Sequence, residues 1–207
     1  MGNRIYPIGI QNFEKIRKEG YVYVDKTALM YKLVKSGSYF FLSRPRRFGK
    51  SLLISTLEAY FEAKRDLFEG LAVETLEKDW VKRPVLHLDL NIGKYDTPDS
   101  LDKILNETLD YWESLYGTRS AETTLALRFA GVVGRAYEQS GERVAILIDE
   151  YDKPLLQAIG NEELQREFRN TLKPFYGVLK TMDGCIKFAL LTGVTKFGKV
   201  SVFSDLN

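Results

Sequence analysis

The chain is poor in several residue types, and each shortage excludes a class of protein. Its 207 residues include a single cysteine, Cys185, and a single histidine, His87. One cysteine excludes an intrachain disulfide and a zinc site built from clustered cysteines. His87 lies in the strand-like segment PVLHLDL, where packing is a more ordinary role than general-base catalysis. The sequence therefore predicts neither a disulfide framework nor a cysteine-based metal site.

Long apolar runs and a strong excess of one charge are also missing. No apolar run approaches the roughly 20 residues that a membrane-spanning helix needs, and no signal peptide is visible at the N-terminus. The net charge of +2 is too small to indicate nucleic-acid binding by itself. The chain has no internal repeats and no low-complexity tracts. These features predict a soluble, cytoplasmic protein of one domain, with no membrane partner.

The most informative stretch is residues 39–51, YFFLSRPRRFGKS. An apolar run leads into a basic turn, which ends on Gly49, Lys50 and Ser51, and a helical pattern follows at once. This is the strand–loop–helix layout of a phosphate-binding P-loop. Lys50 would reach the β- and γ-phosphates, and Ser51 would offer its hydroxyl to Mg²⁺. Backbone N–H groups of the first helical turn and the helix dipole would favour phosphate at the same place.

The match to the general motif G-x-x-x-x-G-K-[ST] is incomplete, because its first glycine falls on Arg44. Arginine resists the positive φ that glycine adopts freely, so we expect a differently shaped loop. Its arginines would then lie near the phosphates as charged donors. The alternative is that they pair with surface carboxylates and point away. The predicted nucleotide-binding residues are Arg44, Arg46, Arg47, Phe48, Gly49, Lys50, Ser51 and Leu52.

The second half of the chain supplies the acidic partner of this loop. Val144–Asp149 reads VAILID, a continuous apolar run that suits a buried parallel strand, and Glu150 follows it. Ligands of open α/β sheets bind at the carboxyl ends of the strands. Asp149 is placed to order the Mg²⁺ shell, and Glu150 is placed to polarise an attacking water. The alternative is an ordinary strand that ends in a polar turn.

Three segments together resemble the bacterial AAA-ATPase-like family: GYVYVDKT, RPRRFGKS and LIDEYDKPL. The resemblance runs from Ile8 to Leu206, and an arginine at the first P-loop glycine is typical of that family. It implies that Thr192 or Thr195, after the strand Ile186–Leu191, contacts the γ-phosphate or its water; we select Thr192. A threonine that ends a strand is otherwise unremarkable. The resemblance also places the YVDKT segment and Asp89 near the nucleotide, although Asp89 could simply form a turn.

The same resemblance implies partners that the chain itself does not show. Members of the family usually carry a C-terminal domain similar to restriction-type nucleases, which would bring nucleic acid as an indirect partner. We expect that domain and a C-terminal lid to be absent from this chain. Residues 1–207 would then form one P-loop domain, with residues 1–38 as a lead-in segment. The sequence leaves the oligomeric state open.

The predicted fold is a three-layer α/β P-loop NTPase domain with a mostly parallel sheet of the AAA (ASCE) type, in strand order 5-1-4-3-2. The fifth strand is either missing or supplied by Tyr21–Val24. Pro174 should kink or break the helix that Asn161 caps. Helices are predicted at Phe13–Lys18, Ala28–Ser36, Ser51–Lys64, around Val73–Asp79, at Leu101–Leu115, at Glu122–Gln139 and from Asn161 towards Lys173.

The predicted function is binding of ATP with Mg²⁺, followed by hydrolysis. Lys50, Glu150 and Thr192 are the predicted catalytic residues, and Ser51 and Asp149 are the predicted metal ligands. Two alternatives stay open, namely a nucleotide-dependent switch that hardly hydrolyses its ligand and a small-molecule phosphotransferase. No N-K-x-D motif fixes the base, so the sequence does not separate ATP from GTP.

Overall fold

A computed structural model of the chain describes residues 5–195, and four parallel strands form a sheet in this segment. The strands are β1 (Tyr39–Ser43), β2 (Val85–Asp89), β3 (Val144–Asp149) and β4 (Ile186–Gly193). Their spatial order is β1-β4-β3-β2, and all three strand pairs are parallel. This confirms the predicted α/β class. The order of the four strands equals the 1-4-3-2 part of the predicted order, whereas a fifth strand is not confirmed.

The proposal that Tyr21–Val24 supplies a fifth strand is wrong, because this segment pairs with no strand of the sheet. It has no regular secondary structure and contacts the first helix. The ring of Tyr23 packs edge-on against Phe13, with centroids 5.1 Å apart. Within this segment, Tyr23 therefore packs on a helix, and Val24 is 71% exposed.

Eight α-helices flank the sheet within residues 5–195. They are α1 (Phe13–Lys18), α2 (Thr27–Ser36), α3 (Lys50–Phe61), α4 (Ala72–Leu76), α5 (Ser100–Tyr116), α6 (Leu125–Ser140), α7 (Lys153–Gln157) and α8 (Glu162–Thr181). Each is either too short or too polar to cross a bilayer. The sequence predicts seven of them, with shifts of a few residues at their ends except at the end of α8, and it does not predict α7.

The helices cover both faces of the sheet, and β3 shows how the two faces are built. Successive side chains of a strand point to opposite faces. Val144, Ile146 and Ile148 belong to an apolar core shared with α5, α6 and α8. Ala145 and Leu147 belong to a second core shared with α2 and α3. All six residues of β3 are buried, so the sheet is the middle of three layers.

The sequence predicts a kink or a break at Pro174, and the structure excludes the break. Helix α8 continues past this residue to Thr181. Proline in a helix interior removes one backbone hydrogen bond and costs about 3 kcal/mol. The residues after it include Phe175, Tyr176 and Leu179, which are all buried in the core beside β3. Burial of these side chains offsets the loss, which the local sequence rule does not take into account.

Candidate functional site

The carboxyl ends of the strands bring the predicted site residues to one edge of the sheet. Ser43 at the end of β1 pairs with Gly193 at the end of β4. Asp149 ends β3, and the chain then turns at Glu150. The loop after β1 leads directly into α3, so the start of this helix faces the same edge. This is the edge at which open parallel sheets bind their ligands.

Asp149 is the centre of the candidate site, because each of its two carboxylate oxygens accepts a hydrogen bond from a hydroxyl group. Ser51 Oγ, on the first turn of α3, lies 2.5 Å from Asp149 Oδ2. Thr192 Oγ1, on β4, donates to Asp149 Oδ1. Asp149 is 4% exposed and Thr192 is 0% exposed. Two separate elements, α3 and β4, thus place hydroxyl groups on one buried carboxylate at the end of β3.

Lys50 lies beside this centre and is held from two directions. Its side chain is 4% exposed, and Nζ lies 3.1 Å from Glu150 Oε1. The same ammonium group donates to the backbone oxygens of Arg44 at 3.0 Å and Pro45 at 3.3 Å. An ammonium group has three hydrogens, so these contacts use all of its donors.

Glu150 stands on a strained piece of backbone. Its φ is +55°, in the left-handed region that residues with a side chain rarely adopt. Such a residue costs about 1–3 kcal/mol and is typical of functional sites. Its amide N lies 3.3 Å from Thr192 Oγ1, and the next amide, of Tyr151, donates to the Thr192 backbone oxygen at 2.8 Å. Thr192 therefore fixes the turn that carries Glu150.

The basic loop, residues 44–49, differs from the expectation for Arg44. The positive φ values in this loop are at Arg47, +67°, and Gly49, +76°, and not at Arg44. The amide of Arg44 instead donates to the Gly193 oxygen at 3.0 Å and extends the pairing of β1 with β4. An arginine is therefore compatible with the position at which the general motif has glycine, because the backbone there needs no left-handed residue.

The arginines of this loop are available to a ligand. Arg44, Arg46 and Arg47 are exposed, and none of them forms an ion pair with another residue of the described segment. The alternative was that these arginines pair with surface carboxylates, and residues 5–195 contain no such ion pair. Phe48 is 63% exposed. The role of these residues stays a prediction.

The start of α3 has the free donors that a phosphate site needs. Gly49 precedes the helix in a left-handed conformation, and no side chain of residues 5–195 caps this end. The first amide groups of a helix have no partner within it, so those of Lys50, Ser51 and Leu52 point outward from its N-terminus. The helix dipole adds partial positive charge at the same place.

Asp152 is a buried carboxylate to which sequence reasoning assigned no role. It is 1% exposed and accepts from the amides of Val194 at 3.0 Å and Thr195 at 2.7 Å, and from Thr195 Oγ1 at 2.9 Å. It thereby ties the chain after β4 to the turn after β3. Thr195 is engaged by this carboxylate, which favours Thr192 as the threonine of the site. A Cβ atom at Gly193 would lie 2.7 Å from Asp152 Oδ1, so this packing requires glycine.

Three other residues of the family pattern have structural partners. Asp89 lies beside Asp149 in the sheet, and its Oδ1 accepts from the Asn91 amide at 2.7 Å, as a turn former does. Asp25 accepts from the Thr27 amide at 2.8 Å and from the Ala72 amide at 2.8 Å. The segment with Asp25 and Thr27 therefore joins the start of α2 to the start of α4.

Comparison with known proteins places the chain in a family. It is 42% identical over 209 residues to an uncharacterized protein in the vnfD 5′ region of Azotobacter chroococcum mcd 1. The alignment covers 100% of this chain and 40% of that relative, so the chain spans well under half of the relative's length. No solved structure matches the chain at a significant level. The model of the AAA-ATPase-like family, described as predicted AAA-ATPases, matches residues 7–203. The chain therefore belongs to the AAA-ATPase-like family.

Proposed function

We propose that this domain binds ATP together with Mg²⁺ and hydrolyses it. The observation that supports the proposal most is a pair of hydrogen bonds. Ser51 and Thr192 both donate to Asp149, and the Lys50–Glu150 ion pair lies beside them. These are the parts that P-loop enzymes need, namely a phosphate-binding lysine, a metal-ordering hydroxyl and carboxylate, and a carboxylate for water. Family membership supports nucleotide as the ligand.

The residues around the loop fit a triphosphate. Lys50 brings a buried positive charge, and the uncapped start of α3 adds backbone donors and the helix dipole. Arg44 and Arg46 add exposed fork-shaped donors that match phosphate oxygens. Electrostatic contacts of this kind supply most of the catalysis in phosphoryl transfer, because little covalent chemistry is needed.

The oxygen atoms at Asp149 fit Mg²⁺, which prefers hard oxygen ligands. Ser51 Oγ and Asp149 Oδ2 would hold it. Within residues 5–195 no group of three or more His, Cys, Asp or Glu side chains could hold a metal. This suits Mg²⁺, which usually binds through one or two protein oxygens and keeps waters and substrate phosphates as its other ligands. When bound, it would neutralise charge on the phosphate oxygens.

Glu150 would act as the base that orients the attacking water. Its carboxylate is bonded to Lys50, so an incoming γ-phosphate would compete for the same ammonium group. Once released, the carboxylate can accept the proton of a water aligned with the phosphate. Thr192 would hold the Glu150 turn in place through its hydroxyl and its backbone oxygen.

A nucleotide-dependent switch is the second candidate, and the Lys50–Glu150 pair favours it. Exchange of this contact for a phosphate would move the Glu150 turn with or without hydrolysis. In either case the domain would regulate a further part of a longer protein, and the family resemblance suggests a nuclease-like domain for that part. The matched relative is more than twice as long as this chain, which leaves room for such a domain.

Release of phosphate from ATP by the purified chain separates these functions. Hydrolysis that requires Mg²⁺ and no added acceptor supports the ATPase. Binding of ATP by calorimetry without turnover supports the switch, and production of ADP only with an added small-molecule acceptor supports a phosphotransferase. If the chain binds neither ATP nor GTP in the presence of Mg²⁺, the proposal is wrong.

A further inference from the structure

A small basic pocket lies at the opposite end of the sheet from the P-loop. It has a volume of about 140 Å³, which is the space of roughly four or five waters. Its wall includes three cationic side chains, which come from the C-terminal end of α2, the residue before Pro84 and the beginning of β4. They are Lys35, Arg83 and Lys187.

A β-bulge brings Lys187 to this pocket. Ile186 pairs with Val144, and Phe188 pairs with the next residue of β3, Ala145, so Lys187 is an extra residue in β4. The side chains on its two sides consequently enter opposite cores, Ile186 beside Val144 and Phe188 beside Leu147. Bulges redirect a side chain and are over-represented next to functional sites.

Lys187 also has no counter-ion among the described residues 5–195. Lys35 Nζ lies 3.1 Å from Glu77 Oε2, and Arg83 lies 2.6 Å from Glu142 Oε2, so these two cations are paired. The ammonium group of Lys187 has no ion pair or hydrogen bond to any other residue between 5 and 195. Burial, together with the charges of Arg143, Arg83 and Lys35, lowers the pKa of this half-buried lysine. A negative ligand would relieve that repulsion.

Trp80 also forms part of the wall of the pocket. Its indole Nε1 is covered by the surrounding protein, so the ring lines the pocket and reports on it through proximity. The φ of Trp80 is +44°, which is a strained backbone for tryptophan.

The acidic residues of the wall do not remove the positive charge. The carboxylate of Glu77 is already engaged by the Tyr60 hydroxyl, by Lys35 and by the amides of two following residues. Asp79, the other carboxylate, is exposed. Within residues 5–195, the ammonium group of Lys187 is therefore the cation of the wall that has no carboxylate partner.

We propose that this pocket binds a single free oxyanion, inorganic phosphate or sulfate, between Lys187, Arg83 and the region of the Trp80 side chain. The volume admits one tetrahedral oxyanion and is too small for a nucleotide, whose typical sites are about 300 Å³ or more. The site is separate from the P-loop and does not depend on the proposed function. An oxyanion there would stabilise the end of the sheet away from the nucleotide.

The two indole N–H signals of the ¹⁵N-labelled chain provide the test, because the protein has only two tryptophans. Sodium phosphate and sodium sulfate are titrated at constant ionic strength, with sodium chloride and sodium acetate as controls. We expect phosphate or sulfate, and neither control salt, to shift the Trp80 signal to saturation. A Trp80→Phe variant assigns that signal.

Lys187→Met should weaken this binding about tenfold or more, because it removes a charge-assisted contact. Lys187→Arg keeps the charge and should retain binding. Lys32→Met, which removes an exposed lysine of the same α2 helix as Lys35, should leave it unchanged, as should Lys50→Ala at the P-loop. A Trp80 signal that does not respond to phosphate or sulfate, or the same affinity in Lys187→Met, or loss of the response in Lys50→Ala would overturn the proposal.

Discussion

Lys50 Nζ lies 3.1 Å from Glu150 Oε1, and both side chains are largely buried, with 4% and 14% exposure. The lysine comes from the start of α3, and the glutamate from a strained turn after β3. A buried ion pair is costly unless both partners are well bonded, and here Lys50 gains two backbone oxygens as well. The pair therefore links the loop that would bind phosphate to the residue that would activate water.

Lys50→Ala should weaken ATP binding severely. Loss of a charge-assisted contact to phosphate should cost about 1.5–3 kcal/mol, or roughly ten- to a hundredfold in affinity. Calorimetric titration with ATP and Mg²⁺ measures this, and Lys32→Ala serves as a matched exposed control. The P-loop assignment fails if the Lys50 variant binds with the affinity of the parent.

Glu150→Gln should keep ATP binding and slow hydrolysis by about a hundredfold or more, because glutamine cannot act as a carboxylate base. Loss of the negative charge also frees Lys50 from its partner, so affinity should be equal to that of the parent or higher. Binding and single-turnover hydrolysis are measured side by side, with Glu107→Gln as an exposed control. Equal turnover in the Glu150 variant and the parent would show that another group orients the water.

The arginines of the loop should contribute to ATP binding in a salt-dependent way. Three exposed positive charges within four positions repel one another until an anion binds. Exposed charges are screened over about 8–10 Å at physiological ionic strength. Arg44→Ala and Arg46→Ala should therefore weaken ATP binding and flatten its dependence on salt. Arg47→Ala should do less, since Arg47 has a left-handed backbone next to the exposed Phe48. If all three variants bind ATP with the affinity and salt dependence of the parent, the arginines do not contact phosphate. The backbone amides and Lys50 would then bind it alone.

The residues that meet at the centre of the candidate site could be selected from the sequence, because local patterns determine their positions. The apolar run of β3 has the same bounds in the prediction and in the structure, Val144–Asp149, since a strand buried on both faces needs no alternation. The G-K-S sequence placed Ser51 opposite Asp149 through the topology of parallel sheets. The sequence did not predict a role for Asp152, because its hydrogen-bond partners lie more than 40 residues away in the chain, after β4.

Other features depend on tertiary contacts that no local pattern shows. Pro174 predicts a kink or a break, yet α8 continues past it, with buried residues on the far side. The Tyr21–Val24 segment alternates as a strand does, yet Tyr23 packs on Phe13. The bulge at Lys187 is one extra residue in an apolar run, and its effect is visible only in the register with β3. The structure at these three places depends on burial and on strand register. Both are properties of the assembled fold, so a local sequence pattern does not show them.

Asp152→Ala should destabilise the fold by about 1.5–3 kcal/mol. The carboxylate accepts two backbone amides and a hydroxyl in a buried place, and its removal would leave these donors without partners. Urea unfolding measures the change, and Asp66→Ala, at an exposed aspartate, serves as the control. Equal stability of the Asp152 variant and the parent would mean that water or a rearranged loop replaces the carboxylate.

The His87–Glu58 contact should make stability depend on pH. His87 Nδ1 lies 3.5 Å from Glu58 Oε2, at the edge strand β2. Burial lowers the pKa of His87, but the hydrogen bond to Glu58 and the charges of Glu58, Asp89 and Asp149 outweigh it and raise the pKa above its ordinary value of 6.5. The folded state then holds the proton more tightly than the unfolded state does. The contribution to stability is therefore fully present below the unfolded pKa and is lost as pH rises through the folded pKa.

Comparison of the parent with His87→Gln by urea unfolding tests this relationship. The parent should exceed the variant in unfolding free energy by more at a pH of about 5.5 than at about 8.5, where the histidine is neutral. Glu58→Gln removes the carboxylate that raises the pKa most directly, so the pH-dependent difference should shrink in that background. The same difference at both pH values would show that His87 contributes only by packing at the sheet edge. A larger difference at high pH would reverse the sign and show that burial of the ring, which disfavours its charge, dominates over Glu58.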